Sequence, residues 1–137
     1  MIGESDIVKA AQYVREGKLV AFPTETVYGL GANALDAMAV ARIFEIKRRP
    51  SFDPLIVHIA RVEDILPLIL SRDERIFLLA EKFWPGPLTL VLPKSTLIPD
   101  IVTAGLPTVG IRIPNHPVAL ALIRQAQRPD RKSTRLN

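Results

Sequence analysis

Short apolar runs that end in proline alternate along this chain with stretches of helical periodicity, and that alternation restricts the fold more than any other feature. Proline cannot donate to a strand ladder or continue a helix, so each one marks where an element has to stop or start. Ile7, Val8, Ala11 and Val14 recur at helical spacing, and Gly17 supplies a stop. Leu19-Val20-Ala21-Phe22 reads as a buried strand ended by Pro23, and Pro23 to Gly31 as a turn-forming loop. Asp36 is placed to cap a second helix with an apolar stripe of Ala37, Val40, Ile43 and Phe44. That helix has to end near Lys47-Arg48-Arg49, because Pro50 restricts the residue before it.

The pattern then repeats. Leu55 to Ile59 is a β-branched strand, Val62 to Leu70 a poor helix interrupted by Pro67, and Asp73 to Phe83 a better helix. Trp84-Pro85-Gly86-Pro87 forces a turn, and Leu88 to Leu92 reads as a central strand. Thr108 to Ile113 is a strand stopped by Pro114, and a last helix starts at His116 with Pro117 in its favoured first position. Helices alternating with strands imply an α/β domain, and 137 residues suffice for one such domain and not for two ordinary ones.

Composition excludes several classes. Apolar residues make up 48% of the chain, which supports a core, and the absence of cysteine removes disulfide scaffolds and thiolate metal sites. No apolar run approaches a membrane span and no secretory leader pattern is present, so a soluble cytoplasmic protein without membrane contact is expected. The net charge is +4, but the last eight residues, Asp130 to Asn137, hold a net +2 of it. Global charge therefore gives little support for nucleic-acid binding, and any anion site has to be argued locally.

Four local features carry chemistry. The loop from Pro23 to Gly31 offers the hydroxyls of Thr24, Thr26 and Tyr28, the Glu25 carboxylate and two glycines directly after a strand, where α/β sheets place ligand contacts. A polar strand-to-helix connection is the competing account. Lys47, Arg48 and Arg49 offer three cations for a polyanion, although cations at a helix C-terminus also compensate its dipole. His58 lies in an apolar strand and shares a face with Ile56; a lone histidine there is more often a hydrogen-bonded structural residue than a ligand contact. In the strand Thr108 to Ile113, alternation puts Thr108, Gly110 and Arg112 on one face and Val109, Ile111 and Ile113 on the other. A buried arginine there requires an anion, either a protein carboxylate or a substrate carboxylate. His116 is a helix-start residue, and the two histidines make no metal site.

In order and spacing, five segments resemble the YrdC-like family of L-threonylcarbamoyladenylate synthases. They are Phe22 to Ala32, Lys47-Arg48-Arg49-Pro50 (similar to a K-x-R-P motif), Asp53 to His58, Trp84 to Thr89 and Thr108 to Pro114. The resemblance implies a twisted mixed α/β sheet with flanking helices around an open basic cavity. It implies an enzyme that joins L-threonine, bicarbonate and ATP into threonylcarbamoyl-AMP and pyrophosphate for tRNA modification, with Mg2+ on the triphosphate. Lys47 and Arg49 would act on the ATP phosphates as the catalytic pair, with Asp53 and Thr108 completing the nucleotide contacts. Thr24, Thr26, Tyr28, His58 and Arg112 would surround threonine, with Arg112 on its carboxylate. tRNA or other RNA and downstream threonylcarbamoyl-transfer proteins are the further partners implied.

Family members continue into an S-x-N motif that completes the nucleotide site, and Ser133-Thr134-Arg135 has no asparagine in register. The expectation is a domain over residues 1–129, truncated at its C-terminal side with an exposed sheet edge, followed by a non-homologous polar tail over 130–137. That tail fits either a solvated terminus or translated adapter sequence. The rival functions are a non-catalytic RNA-binding domain of the same fold, a carbamoyl-adenylate-forming relative, and an inactive fragment.

Overall fold

The computed structural model describes residues 3–23, 28–48 and 53–127. Among these residues are four α-helices, one 3-10 helix and five strands, with helices and strands interspersed along the chain. Helix α1 (Glu4–Arg15) is followed by β1 (Val20–Pro23) and β2 (Tyr28–Gly31), which pair antiparallel with Val20 opposite Gly31 and Pro23 opposite Tyr28. The segment read from sequence as loop up to Gly31 is thus partly strand: Tyr28–Gly31 returns along β1 as the second arm of a hairpin.

Helix α2 (Ala37–Lys47) starts where Asp36 Oδ1 accepts from the amides of Met38 and Ala39, both at 3.1 Å. It ends at Arg48, whose φ of 52° puts the backbone in the left-handed region and cannot propagate a helix. Strand β3 (Ile56–His58) follows, then a 3-10 helix over Val62–Leu68 where a poor α-helix was expected. Pro67 lacks an amide to donate, and the segment settles for tighter turns. Helix α3 (Glu74–Phe83) is capped by Asp73, which accepts from the Arg75 amide at 2.9 Å.

The second sheet has the order β3-β5-β4, with β4 spanning Leu90–Pro93 and β5 spanning Thr108–Arg112. β3 runs parallel to β5, and β4 runs antiparallel to it, so the sheet is mixed. The strand expected to be central, β4, has β5 as its only strand partner among the described residues, and β5 takes the middle. Helix α4 (Pro117–Ala126) opens with Pro117 at its first turn and His116 as its cap, Nδ1 accepting from the Ala119 amide at 3.4 Å.

Two apolar clusters hold these elements. The larger takes Val40 and Phe44 from α2, Val57 from β3, Ile76 and Ala80 from α3, Leu90 from β4, and Val109 and Ile111 from β5. The smaller joins α1 to α4 through Ala11, Val14, Leu122 and Ala126, with Val20 and Phe22 of β1 packed against it. Arg15 fastens the same contact by donating from Nη1 to the Gln125 carbonyl at 2.6 Å.

Candidate substrate-binding face

Strand β5 settles which side of the second sheet is available to a ligand. Its burial alternates: Val109 and Ile111 are buried in the core, whereas Thr108, Gly110 and Arg112 lie half-buried on the opposite face. β3 follows the same rule, with Val57 inward and Ile56 and His58 outward. The parallel register sets His58 beside Arg112 and Ile56 beside Gly110. The antiparallel register sets Val91 beside Gly110 and Pro93 beside Thr108. Two rows therefore cross the sheet on its non-core face, one polar (His58, Arg112) and one apolar with a gap at its centre (Ile56, Gly110, Val91).

The polar row is electrostatically unfinished. Arg112 Nε is cut off from solvent and has no acceptor among the described residues. A buried N–H of a charged group without an acceptor is expensive and asks for an explanation, a bound ligand or ion being one; Arg15 Nε, in the contact between α1 and α4, is in the same state among the described residues. His58 keeps contact with solvent, yet the protein packed around it and the adjacent Arg112 charge hold its pKa below the usual 6.5, desolvation being the larger cause. A neutral imidazole beside a fixed cation is suited to hydrogen bonding with an amino acid's polar atoms while the guanidinium takes a carboxylate.

The Trp84 to Thr89 segment runs from the core to this face. The Trp84 indole is buried, and its Nε1 donates to the Leu88 carbonyl at 2.7 Å. The Gly86 amide donates to the Ile113 carbonyl at 2.9 Å, just past the end of β5, and a Cβ on Gly86 would come within 2.6 Å of the Phe83 carbonyl oxygen. This loop delivers Thr89 to the sheet face, where its Cγ2 lies 3.1 Å from where a Cβ on Gly110 would stand. Sequence reasoning quoted the loop as a motif and gave Thr89 no role. The register of β4 on β5 was the missing signal.

The structure thus unites Thr108, His58 and Arg112 on one face. Lys47 sits apart in sequence at the exposed end of α2, with no acidic partner among the described residues, and Asp53 is half-buried. Thr24, Thr26 and Arg49 lie outside the described residues, as does the 130–137 tail; Tyr28 is described as a strand residue of β2 by its backbone. Among the described residues no group of three or more His, Asp or Glu side chains could hold a metal ion. No described helix is long and apolar enough to cross a membrane.

A family model with the name Sua5_yciO_yrdC and the description telomere recombination matches residues 12–134. The chain belongs to the Sua5/YciO/YrdC family. Over 128 residues it is 59% identical to a threonylcarbamoyl-AMP synthase of Pyrococcus abyssi, covering 93% of this chain and 38% of that protein. A threonylcarbamoyl-AMP synthase of Bacillus subtilis is 53% identical over 127 residues, with 92% of this chain and 37% of that protein covered. The solved structure of P. abyssi Sua5 complexed with L-threonine superposes with a TM-score of 0.87 at 58% identity, covering 94% of this chain and 38% of that one. The chain accordingly spans less than two-fifths of the length of these relatives, and the mixed α/β fold is theirs.

Proposed function

We propose that this chain provides the threonine-binding and phosphate-binding face of an L-threonylcarbamoyladenylate synthase. The observation that carries the reading is the solvent-excluded Nε of Arg112, without an acceptor among the described residues, on the non-core face of a sheet beside His58, whose pKa burial and Arg112 hold below the usual 6.5. The relative solved with L-threonine, and the name shared by the Pyrococcus and Bacillus proteins, supply the ligand and the reaction. Arg112 takes the threonine carboxylate, while His58, Thr24, Thr26 and Tyr28 shape the pocket around its amine and hydroxyl.

The chemistry asks for positioning more than for a covalent nucleophile. The threonine amine adds to bicarbonate and water leaves, which gives a carbamate. A carbamate oxygen then bonds to the α-phosphorus of ATP, and the bond from that phosphorus to the bridging oxygen breaks to release pyrophosphate. Holding the reactants in line and neutralising phosphate charge supply most of the acceleration such a step needs. Lys47 and Arg49 carry that charge, with Asp53 and Thr108 at the nucleotide. Magnesium arrives on the triphosphate as part of the substrate. tRNA and the proteins that transfer the threonylcarbamoyl group lie downstream, and a cytoplasmic location accords with them.

The test is incubation of the purified chain with ATP, magnesium, bicarbonate and labelled threonine beside a full-length relative. Threonine- and bicarbonate-dependent pyrophosphate and threonylcarbamoyl-AMP are expected. If carbamoyl phosphate supports turnover in place of threonine, the family assignment stands and the substrate is wrong. Salt-sensitive RNA binding without any threonine binding would replace the enzyme with an RNA-binding domain.

A further inference from the structure

The polar row on the non-core face has a third member. Leu90 faces Ile111 in the antiparallel pairing of β4 and β5, so one step earlier Thr89 comes across from Arg112, which has His58 on its other side. Side chains alternate along a strand, and with Leu90 buried Thr89 falls on the same face as Val91. Its methyl group is on that face too, with Cγ2 3.1 Å from where a Cβ on Gly110 would stand. Directly opposed residues on one face of an antiparallel pair have Cβ atoms about 5 Å apart. His58, Arg112 and Thr89 thus follow one another across three chain segments as imidazole, guanidinium and hydroxyl.

Packing uses the methyl group of Thr89 and leaves its hydroxyl over. The methyl group takes the space that a side chain at position 110 would need, which accounts for Gly110. Valine would meet that packing requirement equally well. A β-branched side chain is stiff about its first torsion, and because the threonine Cβ is chiral, seating the methyl group fixes the hydroxyl as well. That hydroxyl makes no hydrogen bond among the described residues, although Thr89 is half-buried. The buried Thr103, by contrast, donates its hydroxyl to the Leu106 carbonyl at 2.9 Å. We propose that Thr89 is a further substrate-binding residue, packed on Gly110 through its methyl group and donating its hydroxyl to the amino-acid carboxylate that Arg112 holds. A carboxylate has two oxygens and about four acceptor sites, so it accepts from a guanidinium and a hydroxyl together. This inference rests on the reading of Arg112 as the carboxylate partner.

The test is calorimetric or NMR titration with L-threonine, read beside thermal midpoints, of the wild type, Thr89→Val, Thr89→Ser, Arg112→Gln and the double variant Thr89→Val with Arg112→Gln. Thr89→Val keeps a methyl group on Gly110 and removes the hydroxyl. Its threonine affinity should fall roughly 10- to 100-fold, the range for a hydrogen bond to a charged group, at an unchanged thermal midpoint. Thr89→Ser keeps the hydroxyl and removes the methyl group, so its midpoint should fall and its affinity should fall less than that of the valine variant. In the double variant the two losses should add to less than their sum, because both groups grip one carboxylate. Fully additive losses would put the hydroxyl on some other group and overturn the proposal. Affinities that merely track the midpoints across the variants would make Thr89 a packing residue and overturn it as well. A wild-type chain that binds no threonine, or Arg112→Gln at wild-type affinity, would remove the parent reading. A loss in Arg112→Gln with Thr89→Val unaltered would remove the role of Thr89 alone.

Discussion

A guanidinium N–H held away from water without an acceptor among the described residues, as at Arg112 Nε, costs the free protein stability. Two consequences are opposite in sign. Arg112→Gln should weaken threonine binding by roughly 10- to 100-fold, the range for losing a hydrogen bond to a charged group. The same variant should match or exceed the wild type in thermal midpoint, because it removes a buried N–H that has no acceptor. A fall in both quantities would mean that Arg112 is a structural residue. His58 gives a pH signature. Its pKa is lowered in the folded chain by desolvation and then by Arg112, so below about pH 6.5 the unfolded chain binds a proton that the folded chain resists. Stability should be unaffected by this group above pH 6.5 and should decline as the pH falls from there toward the folded pKa. Urea midpoints measured from pH 7.5 to 5 check this, and His58→Gln should flatten the slope. These residues were legible because alternation alone assigns Thr108, Gly110 and Arg112 to one face. Thr89 was not, since it reaches that face through a loop whose anchors, Trp84 to Leu88 and Gly86 to Ile113, are long-range or local facts of packing.

Among the elements, helices were read more accurately than strands, and the reason is where their instructions reside. α2 is set by Asp36 at its start and by the chain reversal at Arg48, both local. Asp36→Ala should cost about 1 kcal/mol, read from the denaturant midpoint at constant slope, and Asp36→Asn should cost much less because an asparagine oxygen also accepts from the helix amides. Equal losses in the two variants would point to the charge of Asp36 instead of its cap. The strand β2 is not legible in the sequence because Gly29 and Gly31 occupy two of its four positions and leave no apolar alternation, and its identity depends on returning along β1 as partner. The hydropathy of Leu88 to Leu92 suits a central strand, yet Val91 and Pro93 are exposed and β5 lies between β4 and β3. Strand order is a non-local property that a single apolar run does not encode. The 3-10 segment followed from one residue, Pro67, whose missing amide the sequence does announce.

At the scale of the molecule, the two apolar clusters are unequal, and their inequality should be visible in motion. The larger cluster runs through the middle of β5, where Ile111 has no exposed surface, and it includes side chains from α2, α3 and both neighbouring strands. The smaller has four buried residues between α1 and α4, three of them alanine or valine. Elements with few buried contacts open locally at lower free energy than those that open only with the whole fold. Ile111→Ala removes a core side chain at the junction of three strands and should lose roughly 2–5 kcal/mol of global stability. Leu122→Ala removes the largest member of the small cluster. Its effect should concentrate in α1 and α4, whose amides should exchange faster while those of β5 keep their protection. The proposed binding face lies on β3, β5 and the Thr89 loop, and the first two are strands whose inward residues belong to the larger cluster. Leu122→Ala should therefore leave threonine affinity near the wild-type value, whereas a matching loss of affinity and of β5 protection would show that the α1–α4 pair and the sheet open as one unit.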